Sequence, residues 1–424
     1  MTSLEQIAAS LQGYDPQALS VSDANAFLQQ LVQSVPDTEE IPLMQALHRV
    51  LAHDVISPID VPAHDNSAMD GYAFDGHALG AQALRLKIVG TAFAGKAWVG
   101  AVTPGQCVKI MTGAVMPQGL DTVVPQELVE VQGDTVHLPA GLLKLGDNRR
   151  FKGEDLQKGK PALRMGARIG PAALGLLASL GMPTVQVFRK LRVAYFSTGD
   201  EVLSLGDAPR EGAVYDSNRY TVIGMLQKLG IEVLDLGVVR DQPQALEDAF
   251  REASTKADAI ITSGGVSVGE ADHTKATMKK VAGNDAAVAF WKIAMRPGRP
   301  MAVGRLGSCV LFGLPGNPVA VMVTFLALVR PALLAMMGSA PADTPLLKAC
   351  SLEAIRKRPG RTEYQRAVVS HDENGRLVVR LTGQQGSGVL SSMVEANGLV
   401  VLPHTQCNIA VGDTVEVMMF EGAL

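Results

Sequence analysis

The spacing of apolar residues changes along the chain, and each spacing predicts a different kind of element. Near the start, apolar positions with a helical period predict a helix over 20–32, with Ser20 and Asp23 as its cap pair. Pro42 stands where a first helical turn would begin, so a second helix is expected over 43–52. The chain is therefore expected to open with short helical and extended segments.

Short β-type runs separated by glycine and proline fill the region 55–148. They predict a compact β-rich domain, because short strands need tight turns between them. A similar pattern returns after Pro341, where Asn374–Gly375 marks the turn of a hairpin. A small all-β C-terminal domain is therefore expected.

Between the two β regions, strand-like and helix-like segments alternate. A helix is predicted over 167–180, and strands are predicted over 191–197, 231–239 and 258–262, each leading into helical sequence. Such alternation predicts a doubly wound parallel sheet covered by helices on both faces. Ligands of such sheets bind beyond the carboxyl ends of the strands.

Together these patterns predict an α/β multidomain protein, and the length of 424 residues is enough for two to four domains. Four parts are expected: a helical or extended N-terminal domain (1–54 and 149–182), a β-rich insert (55–148), a parallel-sheet α/β domain (183–340) and a C-terminal β domain (341–424).

The most apolar stretch covers 310–337. It is interrupted by PGNP at 315–318 and by Arg330–Pro331, and neither uninterrupted piece reaches the roughly 20 residues that a membrane span needs. Buried helices are predicted there, and no membrane association. The first ten residues include Glu5 and lack the apolar core of a secretion signal, so a cytoplasmic protein is expected.

Composition excludes some classes of partner. A net charge of −4 and only 4% aromatic residues argue against binding of nucleic acid, which favours basic surfaces and stacking platforms. The four cysteines lie far apart and form no C-x-x-C pair. They are interpreted as reduced thiols rather than as disulfides or zinc ligands.

Candidate chemistry begins directly after the strand predicted over 258–262. Gly264 and Gly265 end this strand, and Gly269 follows before helical sequence resumes. A glycine turn entering a helix exposes main-chain N–H groups and the positive helix end, which suits phosphate. The neighbouring Glu270 and Asp272 would need a cation beside phosphate, most often Mg²⁺. The alternative interpretation of a single Gly–Gly turn is a tight turn with solvated acids.

The other strands of the predicted sheet are also followed by glycines, hydroxyls and acids. These loops cover 197–201, 216–218, 240–241 and 314–318. Caps alone explain any one of them, but their shared position at one sheet edge favours a site for a phosphorylated ligand with a divalent metal. Substrate contacts are predicted for Ser217, Gly316 and Asn317, and Asn317 could also cap the helix that follows.

Two basic residues, Lys292 and Arg296, alternate with apolar residues, which predicts that they face one side of a single strand. They are candidate contacts for a diphosphate or another anion. Solvated charges at a sheet edge are the ordinary explanation for such a pair.

At this point the chain resembles the MoeA family of molybdopterin molybdenumtransferases, which includes the E domain of gephyrin. The motifs that carry the resemblance run through nearly the whole chain: DVPAHDNSAMDGYA, KIMTGA, FKGED, STGDE, YDSNRY, TSGGVSVGEADHTK, MRPGRP, FGLPGNPVAV, GRTEYQRA and GQQGSGVLSS. The resemblance implies a parallel-sheet domain of the molybdopterin-binding, MogA-like type.

The resemblance also implies an activity. Adenylylated molybdopterin and molybdate would be the substrates, AMP would be released by hydrolysis, and molybdenum would enter between the dithiolene sulfurs. Mg²⁺ would assist. The protein would be a homodimer whose active site joins the parallel-sheet domain of one subunit to the β-rich part of the other, and it could dock other proteins of molybdenum cofactor synthesis.

Family roles are implied for individual residues in three groups. The phosphate-cradling loop is matched by Gly264, Gly265, Ser267 and Gly269. The active-site acids are matched by Glu201, Asp241 and Asp272, which would hold the metal and orient water, and on the N-terminal side Asp70, Thr112 and Asp155 match family positions. Molybdate binding is matched by Arg366 and Ser387. Arg296 stands where the family often has lysine, which leaves its contact open.

Two other functions remain as alternatives. One is the related molybdopterin adenylyltransferase, against which the regions around Asp70 and Arg366 argue. The other is a non-catalytic scaffold with the same fold. A site without the active-site acids would indicate such a scaffold. Tungstate in place of molybdate also stays open, because the two anions have nearly the same size and charge.

Overall fold

The computed structural model describes residues 3–265, 273–283 and 287–423. The chain forms two compact units. The larger unit comprises Met1–Ala52, Gly166–Gly170 and Thr184–Leu424, and the smaller unit comprises His53–Met165 and Pro171–Pro183. The four-part division expected from the sequence stays a prediction.

The elements up to residue 188 are α1 (Leu4–Ser10), α2 (Val21–Leu31), β1 (Thr38–Pro42), β2 (Val55–Ile56), β3 (Asn66–Ser67), β4 (Gly71–Phe74), β5 (Leu84–Ala92), β6 (Gln106–Ile110), β7 (Thr122–Pro125), β8 (Glu130–Gln132), β9 (Thr135–Leu138), β10 (Arg149–Arg150), β11 (Pro161–Leu163), α3 (Pro171–Ser179) and β12 (Thr184–Phe188).

The central elements are β13 (Arg192–Thr198), β14 (Val202–Leu203), β15 (Val214–Tyr215), α4 (Ser217–Lys228), β16 (Glu232–Val239), α5 (Pro243–Lys256), β17 (Ala259–Ser263), α6 (His273–Ala282), β18 (Val288–Lys292), β19 (Met295–Arg296), β20 (Pro300–Leu306), β21 (Cys309–Leu314), α7 (Pro318–Thr324) and α8 (Arg330–Met336). The C-terminal elements are β22 (Leu346–Ser351), β23 (Thr362–His371), β24 (Leu377–Leu381), α9 (Ser391–Glu395), β25 (Gly398–Leu402), β26 (Thr414–Met419) and α10 (Phe420–Ala423).

The smaller unit is built on a six-stranded sheet in the order β7-β4-β6-β5-β9-β8. Successive residues of its strands alternate between two apolar clusters, so that Ala73 and Val123 pack on one face while Phe74 and Val124 pack on the other. Both faces of the sheet are therefore buried. The β-rich character predicted for 55–148 is confirmed.

The larger unit contains a second six-stranded sheet in the order β16-β13-β17-β21-β20-β18. Strands β16, β13, β17 and β21 are parallel, and β20 and β18 are added antiparallel. Tyr195 packs in the cluster that contains α4 and α7, whereas the next residue, Phe196, packs in the cluster that contains α5. Helices thus cover both faces, which confirms the predicted doubly wound arrangement.

A third sheet lies in the C-terminal part, in the order β19-β23-β24-β22-β26-β25. Strand β25 pairs with β23 as well as with β26, so the sheet closes on itself into a small barrel. The hairpin predicted at Asn374–Gly375 joins β23 to β24. The all-β C-terminal domain is confirmed.

Two predicted helices are wrong. The segment 43–52 is not an α-helix: it contains only a 3₁₀ turn, Leu43–Gln45. Its later N–H groups donate to other segments instead, for example Leu51 to Ala167 and Ala52 to Gln186. The segment Cys309–Leu314 is a buried strand of the parallel sheet rather than part of a helix.

The predicted interruption at Arg330–Pro331 is also wrong. Helix α7 continues through a π-helical turn, Phe325–Val329, into α8. The combined helix Pro318–Met336 is long and apolar enough to cross a membrane, and 72% of its most apolar window is buried inside the protein. Among the described residues it is alone in meeting that criterion. Its burial agrees with the prediction of a core helix.

Candidate active site

A cavity of about 1010 Å³ opens in the larger unit beyond the carboxyl ends of β13, β17 and β21. The loops after these strands line it, as do the start of α4 and the segment 385–388. Eight of the predicted site residues are in its wall: Glu201, Ser217, Gly264, Gly265, Arg296, Gly316, Asn317 and Ser387. The loops after β13, β17 and β21 and the start of α4 therefore meet in one cavity.

The Gly264–Gly265 turn ends β17 inside this cavity. Both glycines have left-handed backbones, with φ of 89° and 65°. A Cβ at Gly264 would overlap the carbonyl of Thr198, and one at Gly265 would overlap the side chain of Thr274. The Gly264 N–H donates to Leu314 O at 3.2 Å, so it ties this turn to the end of β21. Ser267 and Gly269 of the predicted phosphate loop lie outside the described residues, as does the predicted acid Asp272.

A buried network of hydroxyl groups holds the strand ends in place below the turn. Tyr195 OH lies 2.7 Å from Ser263 Oγ and 2.9 Å from Ser197 Oγ. Ser197 Oγ in turn donates to Asp216 Oδ1 at 2.9 Å. Burial raises the pKa of Tyr195, so the phenol stays protonated. The network joins β13, β17 and the start of α4 across the cavity floor.

Asp216 belongs to the predicted loop 216–218 but is not among the predicted substrate contacts, and it lines the cavity. Its side chain is 5% exposed, and its Oδ1 accepts the N–H of Arg219 at 3.0 Å as the cap of α4. The signal was available, because Asp216 precedes the predicted contact Ser217 in the YDSNRY motif. Tyr215 of the same motif also lines the cavity and is 45% exposed.

The two described acids of the predicted metal set follow neighbouring strands. Strands β13 and β16 are paired, with Thr198 opposite Val239. Glu201 follows the first strand and is exposed on the cavity wall, while Asp241 follows the second and is half-buried. Asp241 is not among the residues that line the cavity.

The helix that begins at Pro318 points its N-terminal end at the cavity. Asn317 occupies the N-cap position, but its side chain makes no capping hydrogen bond. Asn218 Nδ2 donates to Gly316 O at 2.8 Å, and Val319 N donates to Ser387 O at 3.0 Å. The end of this helix is a place of positive potential suited to an anion.

The predicted common strand for Lys292 and Arg296 is wrong. Lys292 ends β18 in the parallel sheet, whereas Arg296 belongs to β19, which pairs with β23 of the C-terminal barrel. The intervening Ala294 donates its N–H to Leu19 O, so the chain leaves the first sheet before it joins the second. Arg296 is exposed and lines the cavity, and Lys292 does not line it.

Arg366 lies directly beneath the loop that carries Ser387. Its side chain is 1% exposed and is not part of the cavity wall. Burial lowers the pKa of Arg366, and the nearby charge of Arg296 lowers it further. No carboxylate forms an ion pair with Arg366 within the ranges 3–265, 273–283 and 287–423. A buried charge without a counter-charge favours an anion nearby.

In the smaller unit, Asp70 and Thr112 are hydrogen-bonded to each other. Strands β4 and β6 pair with Gly71 opposite Ile110, so the residues at their ends meet. Both the N–H and the Oγ1 of Thr112 donate to Asp70 Oδ1 at 2.7 Å. These bonds lower the pKa of Asp70. Asp155, also exposed, donates its N–H to Val61 O at 3.0 Å.

Three family models cover the chain in succession. They are the MoeA N-terminal region (domain I and II) over 19–181, a probable molybdopterin binding domain over 194–335, and the MoeA C-terminal region (domain IV) over 348–420. A molybdopterin molybdenumtransferase from Haemophilus influenzae is 41% identical over 96% of this chain and 100% of its own length. The chain belongs to the MoeA family.

Other MoeA-family proteins agree over similar lengths. A molybdopterin molybdenumtransferase from Bacillus subtilis is 34% identical, over 91% of both chains. The crystal structure of a molybdopterin biosynthesis MoeA protein from Pyrococcus horikoshii OT3 superposes with a TM-score of 0.79 at 27% identity, and covers 95% of this chain and 100% of that one. The family predicted from the motifs is therefore confirmed.

Proposed function

We propose that this MoeA-family chain is a cytoplasmic molybdopterin molybdenumtransferase, which inserts molybdate into adenylylated molybdopterin with hydrolysis and release of AMP. One observation carries the proposal: the large cavity gathers a glycine turn, a carboxylate, an arginine and a helix N-terminus at one sheet edge. These are the groups needed to bind a diphosphate and a second anion beside it. The relatives named for this activity cover nearly the whole chain.

The diphosphate is assigned to the turn at the end of β17. This turn requires glycine at position 265, because the backbone there is left-handed and Thr274 fills the space of a Cβ, and glycine turns of this kind present main-chain N–H groups to phosphate. Ser217 and Asn317 also line the cavity and are assigned to substrate contacts. Glu201 lines the cavity as well and is assigned to orient the attacking water.

Mg²⁺ is proposed as the metal, with Glu201, Asp241 and Asp272 as its ligands. The donors fit, since all are carboxylates, as Mg²⁺ prefers, and the loops that carry Glu201 and Asp241 leave paired strands. When bound, Mg²⁺ would neutralise negative charge on the diphosphate and so ease attack by water.

Molybdate is assigned to the part of the cavity formed by Arg296 and Ser387. Arg296 supplies an exposed positive charge and Ser387 a hydroxyl group. Burial lowers the pKa of Arg366, and the positive charge of the nearby Arg296 lowers this pKa further. Two guanidinium groups together give a positive potential that suits a dianion. Lys292 is retained as a predicted contact.

The proposal includes a homodimer, with Asp70, Thr112 and Asp155 as further active-site residues. Its assembly is tested by light scattering on the purified protein, for which twice the chain mass of 44.7 kDa is expected. A mass equal to a single chain would overturn this part of the proposal.

The activity is tested by AMP release from adenylylated molybdopterin with added molybdate and Mg²⁺. Glu201→Gln and Asp272→Asn are expected to abolish molybdate-dependent release, and Glu211→Gln, an exposed acid outside the cavity wall, is the matched control. Unchanged turnover in both site variants would remove these acids from the mechanism. Formation of the AMP link from ATP and molybdopterin, without AMP release, would assign the adenylyltransferase function instead.

A further inference from the structure

The loop Gln384–Gly388 forms the wall of the cavity where Ser387 lies, and Arg366 supports it from below. Arg366 Nη2 donates to Gln384 O at 3.0 Å and to Gly386 O at 2.9 Å. Its Nη1 donates to Gln385 O at 3.2 Å. One side chain thus binds three consecutive carbonyl groups of the loop, which a lysine could not reproduce.

Ser392 fixes the orientation of this guanidinium. The Arg366 Nε–H donates to Ser392 Oγ at 2.9 Å, and Ser392 Oγ donates to Val389 O at 2.6 Å. Ser392 is 4% exposed and lies in α9, which follows the loop. Because its hydroxyl accepts on one side and donates on the other, it holds both the arginine and the chain that follows the loop.

The Gln385 side chain fastens the same loop to β23. Its Oε1 accepts the Arg366 N–H at 2.9 Å, and its Nε2 donates to Arg366 O at 3.0 Å. On the other side of the loop, Ser387 O accepts the N–H of Val319 at the start of α7. The loop is therefore fixed between the barrel and the helix N-terminus.

We propose that Ser392 and Gln385 are positioning residues for molybdate, acting through Arg366 and the loop Gln384–Gly388. This inference depends on the proposed function, because it concerns the molybdate part of the same cavity. Ser392 is buried and absent from the cavity wall, so it acts without touching the anion. A fixed loop holds the Ser387 hydroxyl and the arginine charge where the anion arrives, and no ordering is needed on binding.

The kinetic test compares Ser392→Ala with Ser351→Ala. Ser351 is an equally buried serine of the C-terminal part, 1% exposed, whose Oγ also donates to a main-chain carbonyl, that of Glu353 at 2.7 Å. Ser392→Ala is expected to raise the KM for molybdate about tenfold, because the buried Arg366 Nε loses its acceptor. At saturating molybdate, kcat for AMP release is expected to change less than about twofold.

A double-mutant cycle tests whether Ser392 acts through Arg366. In an Arg366→Ala background, Ser392→Ala is expected to add little to the KM for molybdate, because the bond it removes no longer exists. Gln385→Ala is expected to raise the same KM. The inference would be overturned if the parent, Ser392→Ala and Ser351→Ala had equal KM values for molybdate while the two serine variants showed similar losses of Tm.

A physical measurement separates this inference from the proposed function. Amide hydrogen exchange over 383–390 is expected to accelerate in Ser392→Ala and to stay unchanged in Ser351→Ala. If the parent releases no AMP, the proposed function fails, and molybdate or tungstate binding by calorimetry then tests positioning directly. Unchanged exchange together with unchanged anion affinity in Ser392→Ala would remove the positioning role.

Discussion

Asn25 Nδ2 donates to Ala327 O at 3.0 Å, which joins α2 to the π-helical turn 302 residues further along the chain. Pro331 lies four residues after Ala327, where a helix would ordinarily supply the N–H that this carbonyl needs. Proline has no N–H and its ring crowds that carbonyl. The turn Phe325–Val329 and the Asn25 amide together allow the buried helix to continue past Pro331.

Asn25→Leu is therefore expected to destabilise the larger unit, by about 1–3 kcal/mol, since it leaves a buried carbonyl without a donor. The measurement is urea unfolding followed by the fluorescence of Trp291, in a Trp98→Phe background that leaves one tryptophan. Trp291 packs edge-to-face on Phe27 of α2 and so reports on this helix. The control is Gln29→Leu. In the parent protein, Gln29 Nε2 donates to Pro331 O at a longer distance of 3.4 Å, and this hydrogen bond is exposed. Equal losses in the two variants would contradict the assignment.

Gly265→Ala is expected to impair phosphate binding. Its left-handed backbone would cost an alanine roughly 1–2 kcal/mol, and the new Cβ would also overlap Thr274. Gly283→Ala is the matched control, because Gly283 has φ of 70° and no atom of the described residues lies within 4 Å of the position of its Cβ. The affinity for AMP, measured by calorimetry, should fall only in the first variant. Loss of affinity in both would point to backbone strain alone.

Thr112→Val is expected to raise the pKa of Asp70. The N–H and hydroxyl of Thr112 lower this pKa in the parent protein, and the variant retains only the N–H. Carboxyl carbon chemical shifts followed by NMR during an acid titration measure the change. Thr135→Val removes a comparable exposed bond, to Asp134, and should leave the titration of Asp70 as it is in the parent.

The ion pair of Arg189 with Asp258 predicts a stability that depends on pH. Arg189 Nη1 and Nη2 each donate to Asp258 at 2.7 Å, and the Arg192 N–H adds a third bond at 2.8 Å. Burial acts to raise the pKa of Asp258, but these bonds outweigh it and lower the pKa below its ordinary value. The stabilisation is therefore complete above the unfolded-state pKa, about 3.9, and is lost as pH falls through the folded-state pKa.

Asp258→Asn is expected to reduce the free energy of unfolding by about 1.5–3 kcal/mol at pH 7. The difference from the parent should shrink as pH falls below about 4, since the parent loses the same charge by protonation. Urea unfolding of the parent and the variant, at pH 7 and below about pH 4, measures this difference. Asp37 is an exposed partner of the same Arg189, so Asp37→Asn should reduce the free energy of unfolding by a smaller amount. A difference that stays constant with pH would show that the carboxylate charge does not contribute.

Arg296 is expected to contribute charge more than shape to anion binding, because it is exposed on the cavity wall. Arg296→Lys should retain molybdate affinity within about threefold, and Arg296→Gln should lose about tenfold or more. Calorimetry at low and high salt measures both, and the loss should be smaller at high salt. Equal affinities for the lysine and glutamine variants would contradict an electrostatic role.

Local patterns in the sequence were sufficient for much of the fold. The alternation of strands and helices predicted the parallel sheet, because each helix there has one face to bury and each strand is buried on both faces. The helix over 43–52 was wrong because its N–H groups find partners in distant segments, Ala167 and Gln186, which no local pattern reveals. The break at Pro331 was wrong for the same reason, since Asn25 supplies the missing donor.

By itself, the sequence determined which chemical groups are present and which strands they follow, and parallel strands then bring Glu201, Gly264 and Gly316 to one edge. Only the tertiary structure decided what each side chain does there. It placed Arg296 in the cavity wall and Arg366 beneath a loop, and it bonded Asp70 to Thr112. The reason is that position along a strand follows from periodicity, whereas hydrogen-bond partners distant in sequence depend on how separate elements pack.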